Sequence, residues 1–124
     1  MPTLTIPLVS LPVGQTATGS LTVGSNTQAI VTLDKTVAGG MNSLTAASSM
    51  DITIQSSPDG TTWNDEIKDT GIACGPIIDF RTGLAYTSWN LSVTGLDPAA
   101  IRVRAVVVVT GPAAIAVAGT IVAT

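Results

Sequence analysis

Residues 50–63 alternate apolar and polar side chains and then turn, and no other stretch so narrows what the chain can fold into. Met50, Ile52 and Ile54 alternate with Asp51, Thr53 and Gln55, the period of a strand with one buried and one wetted face. Ser57-Pro58-Asp59-Gly60 then ends the run. Pro presets φ, Asp can bond its own backbone, and Gly supplies the positive φ that closes the turn. Trp63 is expected to open the return strand of this hairpin, with its ring on the face made by Ile52 and Ile54.

The same signature recurs along the chain. Residues 20–23 and 28–33 are short β-rich runs joined by Gly24-Ser25-Asn26-Thr27, which reads as a second hairpin. Gly39-Gly40 and the Ala/Ser/Thr-rich residues 42–49 read as a loop, and residues 70–76 as an irregular connection before a short strand at residues 77–80. Residues 86–93 alternate again, with Trp89, Leu91 and Val93 on one face. After the turn at residues 95–100, residues 101–109 place Ile101, Val103, Ala105, Val107 and Val109 on an inner face. Their outer face begins with Arg102 and Arg104 and ends with Val106 and Val108. Residues 115–122 read as the last strand, after a turn at Thr110-Gly111-Pro112-Ala113. No window sustains a helical i, i+3, i+4 pattern with caps at its ends. The expected fold is all-β, an antiparallel two-sheet β-sandwich of immunoglobulin-like or jelly-roll-like kind, spanning residues 15–124.

Residues 1–14 read as an extended arm, because Pro2, Pro7 and Pro12 forbid a helix and limit the segment to extended or edge-strand conformations. Leu4, Ile6, Leu8, Val9, Leu11 and Val13 are too apolar to wave in water, so the arm is expected to lie on its own sandwich or on a neighbouring subunit. Removing residues 2–13 is expected to leave a folded sandwich.

Composition narrows the chemistry. The chain has no His, which excludes a Ser-His-Asp triad, a His metal cluster and imidazole acid/base work. Its one cysteine, Cys74, cannot form an internal disulfide and reads as an idle thiol. Asp59, Asp65, Glu66 and Asp69 gather near the hairpin end, but their spacing fits no calcium loop, and they read as a solvated end. No cofactor or metal is expected. The cations Lys35, Lys68, Arg81, Arg102 and Arg104 are too scattered for a phosphate stripe, so no nucleic-acid partner is expected. Residues 105–122 are nearly uncharged, but Thr110-Gly111-Pro112 interrupts them in strand-like order, so no membrane span is expected. The N-terminus does not read as a secretory signal.

Only 10% of residues are charged and the mean hydropathy is +0.50, whereas about 25% charged is usual. Such a surface calls for cover by copies of the chain or by a larger partner. The candidate assembly residues are Leu4, Ile6, Leu8, Val9 and Leu11 on the arm, with Val106 and Val108 on the outer face of the strand at residues 101–109.

Two passages resemble known families. Residues 52–63 look like the central hairpin of fibronectin type III and related immunoglobulin-like domains. Residues 93–98 followed by 101–105 resemble the crossing between their two sheets, with Ile101 where that pattern usually has Tyr. The Asp-Gly-Thr-Thr-Trp hairpin, the Ile-Arg-Val-Arg-Ala-Val-Val-Val strand and the Ala/Val/Thr-rich final strand are also similar to small virion proteins of tailed phages, head decoration or cement proteins among them. That resemblance implies a non-enzymatic structural protein of the phage virion, assembled in the host cytoplasm. It would stabilise the head lattice, with the major capsid protein or other virion subunits as partners and a homo-oligomer, a trimer for preference. The alternatives are a carbohydrate- or surface-binding module using Trp63, Trp89 or Tyr86, and a tail or adaptor subunit.

Overall fold

A computed structural model describes residues 2–37, 49–73, 78–79, 84–111 and 115–124, and their regular structure is entirely β. The strands run β1 (Thr3–Leu11), β2 (Gly14–Ala17), β3 (Leu21–Thr22), β4 (Gln28–Val37), β5 (Ser49–Ser57), β6 (Asn64–Ala73), β7 (Ile78–Asp79), β8 (Leu84–Thr94), β9 (Arg102–Thr110) and β10 (Ile115–Ala123). They form two antiparallel sheets packed face to face, a β-sandwich as the alternation predicts. The first sheet has the order β1-β10-β4-β8-β7. The second has the order β2-β9-β5-β6, with β3 added to β9 beyond β2. Residues 70–73, expected to be irregular, continue β6. Residues 42–48 of the expected loop, 74–76 of the expected connection and 112–113 of the expected turn lie outside the described residues, as do Cys74 and Phe80.

The core follows from the period-two pattern. Met50, Ile52 and Ile54 of β5 and Val103, Ala105, Val107 and Val109 of β9 point inward, where they meet Val31 and Leu33 of β4 and Val117 and Ile121 of β10. The largest fully buried side chains are Leu, Met, Ile and Val, with no aromatic ring among them. Branched aliphatic side chains suit a pleated surface. Burying each stabilises the fold by about 1.5–3 kcal/mol.

The N-terminal segment is extended, as expected, and it lies on its own sandwich. It pairs with β10 from Thr3 to Ile6 and again from Val9 to Leu11, with a break in register at Pro7 and Leu8. Pro7 has no N–H to give a ladder, so the edge position and the break are where its sequence allows it. Ile6 and Leu11 belong to the core and Leu4 packs against it. The segment is thus part of the sandwich and not only an arm laid on it: Leu4 and Leu11 pair with Ile121 and Ile115 of β10, so removing residues 2–13 would take away an edge strand and two core side chains.

A second expectation fails between β3 and β4. They do not form a hairpin: β3 pairs with β9 in the second sheet, and β4 runs between β10 and β8 in the first. The connecting residues 24–27 cross from one sheet to the other. The Val23 N–H donates to the Ile101 carbonyl on one side, and the Thr27 and Gln28 N–H groups donate to the Thr124 carbonyl on the other.

β10 lies inside the first sheet, next to its edge strand, with β1 on one side and β4 on the other. At its middle, a Cβ on Gly119 would lie 1.9 Å from the Thr32 carbonyl oxygen, in the backbone of β4. Gly119→Ala is therefore expected to force the two strands apart and cost about 1–3 kcal/mol, the usual range for overpacking. Urea denaturation checks this, and a loss under about 0.5 kcal/mol would refute the close approach.

Candidate functional site

Where the two sheets end on one side, β1 lies over β2 and leaves an apolar cleft of about 250 Å³. Leu4, Ile6, Val9 and Leu11 form one wall and Thr16 and Ala17 the other, with the buried Leu33 and Val117 behind them. The cleft exists because the chain changes sheets between β1 and β2, so neither edge strand covers the gap between them.

The residues expected to mediate assembly do not form one patch. Ile6 and Leu11 are core residues and Leu4 is half-buried, while Val9 stays 40% exposed at the mouth of the cleft. Leu8 belongs to β1, and its side chain lies outside the described residues. Val106 is on the outer face of β9, as the alternation requires, but it is only 5% exposed. It lies between Ala17 of β2 and Thr53 of β5, so the single chain already covers it, contrary to expectation. Val108 is half-buried on the same face, between Gln15 and Asp51. Two residues outside the expected set are more accessible: Val13 at 52% and Ile101 at 49%. Ile101 was expected on the inner face, but it precedes the first residue of β9, where the alternation does not yet apply.

Trp63 is also displaced from its expected place. Its half-buried ring lies under the Arg104 guanidinium, 4.2 Å from the ring centre. Arg104 projects from the outer face of β9, so Trp63 covers the outside of the second sheet and not the face of Ile52 and Ile54. Arg104 Nε also donates to Gln55 Oε1 at 3.0 Å, and Gln55 Nε2 donates to Asp65 Oδ1 at 2.8 Å. Arg102, expected to face water, donates from Nε and Nη2 to the Ser20 hydroxyl and carbonyl and from Nη1 to the Thr22 hydroxyl. It pins β3 to β9.

Three of the acids near the hairpin end, Asp59, Asp65 and Glu66, act as structural fasteners. Asp59 Oδ1 accepts the Thr62 and Thr61 N–H groups at 2.7 and 2.8 Å, and the Ser57 hydroxyl accepts the Gly60 N–H at 2.7 Å. Gly60 sits at φ +82°. Glu66, expected to be solvated, instead accepts the hydroxyl of the buried Ser56 at 2.6 Å and the Asp97 N–H at 3.1 Å through one oxygen. It ties the hairpin to the turn before β9. Among the described residues no three of His, Cys, Asp and Glu are grouped as a metal ion would need. No helix among them is long and apolar enough to cross a membrane. Tyr86 and Trp89 have side chains outside the described residues. The chain matches no protein-family model, no curated protein and no solved structure.

Two outcomes follow from the hairpin end. The Thr62 and Thr61 amides favour the charged form and hold the Asp59 carboxyl far below the usual carboxylate range. A depressed folded-state pKa gives stability that is present above the unfolded value, about 4, and is lost as pH falls towards the folded one. The melting temperature of Asp59→Ala is thus expected below that of the parent at neutral pH, with the gap closing as pH drops below about 4. A gap independent of pH would contradict the charge-stabilised turn. For Glu66→Ala, the stranded hydroxyl of Ser56 is expected to cost about 1–3 kcal/mol in chemical denaturation. The exposed Asp69→Ala should stay within about 0.5 kcal/mol, and equal effects of the two would remove the fastener role of Glu66.

Proposed function

We propose that this protein is a non-catalytic structural component of a tailed-phage virion, of the head decoration or cement type, that binds the assembled capsid lattice. The observation that carries this reading is the combination of a sparsely charged chain with apolar side chains that the fold leaves accessible, Val9, Val13, Val108 and Ile101. A sandwich of this size gains nothing from such exposure in water, whereas a lattice partner would bury it. The proposal assigns shell contact to the outer face of the second sheet around Val108, and association between copies to the N-terminal side. The similarity of the Asp-Gly-Thr-Thr-Trp hairpin and of β9 to small virion proteins supports the same assignment.

A sugar-binding module remains the second reading, with Trp63 as its platform. Arg104 already occupies one face of that ring, and so leaves a saccharide only the other. This is why assembly takes precedence.

The test is co-sedimentation of the purified protein with tailed-phage shells that lack their decoration protein. Saturable binding and a raised melting temperature of the shells are the expected results. Val108→Lys should abolish binding while its own melting temperature is kept. Failure of the parent to bind any shell, together with retention on a polysaccharide column that Trp63→Ala abolishes, would replace this reading with the second.

A further inference from the structure

Asp59-Gly60 is the one Asp-Gly pair in the chain, and no Asn-Gly pair occurs. Asp followed by Gly is the pairing most open to self-modification, because the Gly backbone turns freely and no side chain shields its amide nitrogen. In that reaction the Gly60 nitrogen loses its proton and bonds to the Asp59 Cγ, whose hydroxyl leaves with that proton as water. Water then opens the resulting five-membered imide. Attack at the main-chain carbonyl breaks that carbonyl's bond to nitrogen and leaves an isoaspartate, in which the backbone runs through Cγ and is longer by one carbon. Here the added carbon would lengthen the loop that sets Ser56 of β5 against Asn64 of β6.

We infer that Asp59-Gly60 is a latent isoaspartate site that the folded hairpin holds unreactive, with Ser57 as its guard. The inference is independent of the virion reading. The Gly60 N–H donates to the Ser57 hydroxyl at 2.7 Å, so the proton that attack must remove is held in place. Ser57 is itself fixed: it is fully buried in β5, and its carbonyl accepts the Ile101 N–H at 2.8 Å. The Asp59 carboxylate is tied to the residues beyond Gly60. Its Oδ1 accepts the Thr61 and Thr62 N–H groups, and its Oδ2 accepts the Thr62 hydroxyl at 3.1 Å. Closing the ring onto the Gly60 nitrogen means giving those bonds up. The same donors favour the charged carboxylate, the form that a nucleophile attacks least readily. The freedom of Gly60 is restricted as well. It is set at φ +82°, and the place a Cβ would take lies 3.6 Å from Cδ of Arg102, which Ser20 and Thr22 hold.

The test is prolonged warm incubation of the intact protein in buffer and, in parallel, in urea. Enzymatic methylation of the isoaspartyl carboxyl counts the product, and peptide mapping assigns it to residue 59. The product should form more than about tenfold more slowly in buffer than in urea, the factor that keeping one hydrogen bond to a charged group supplies. Ser57→Ala, shown to be folded by circular dichroism, should react several-fold faster than the parent in buffer, and Asp69→Ala at the parent's rate. Equal rates for the parent in buffer and urea overturn the inference, and so does a folded Ser57→Ala that reacts no faster than the parent. If Ser57→Ala does not fold, the comparison of buffer with urea decides alone. Shell binding enters neither readout, so the proposed function stands or falls separately.

Discussion

Everything else in this molecule depends on β10 being gripped from both sides. It is the last strand in the sequence, yet it lies inside the first sheet, paired to β1 from the beginning of the chain and to β4. Its inward residues Ile115, Val117 and Ile121 meet the inner face of the second sheet, and Gly119 lets the β4 backbone come close. The two ends of the chain are thereby closed into one sheet, which converts a loosely apolar N-terminal segment into a structural edge. The same pairing leaves that edge as the boundary of an open side.

The core is aliphatic. With branched side chains interdigitating and no ring among the largest fully buried ones, the sandwich is held by many small contacts, not by an aromatic anchor. The polar groups respect the same economy, since no buried side-chain nitrogen or oxygen among the described residues lacks a hydrogen-bond partner. Arg102, Arg104, Glu66 and Asp59 are each committed to a fastening: β3 to β9, Trp63 to the outer sheet face, hairpin to turn, and the turn to itself. Few charges are present, and the best placed of them are occupied with structure. That leaves uncharged surface to carry any association.

Much of this fold was legible in the sequence, because period-two alternation and turn chemistry are local. Met50, Ile52 and Ile54 sit inward as their spacing requires, and Ser57-Pro58-Asp59-Gly60 closes as its residues require. What was not legible depends on which sheet a strand joins. Gly24-Ser25-Asn26-Thr27 turns the chain equally well within a sheet or between two, so β3 and β4 read as a hairpin when they are separated by the core. Parity placed Val106 on the outer face correctly but could not show that Ala17 and Thr53 flank it there. Trp63 was assigned to the core for its size, whereas its position one residue before β6 and the cation on β9 draw it outside. The candidate assembly surface was split for the same reason. The apolar character of the N-terminal segment was plain, but which of its residues face the core depends on β10, far away in sequence.

The central claim is that the pairing of β10 with β1 on one side and β4 on the other holds the sandwich together. Hydrogen–deuterium exchange of the intact protein tests it at residue level. The amides of residues 117–122, paired on both sides, should be among the slowest to exchange, and those of the β6 edge faster. Exchange of residues 117–122 as fast as that of the β6 edge would contradict the account.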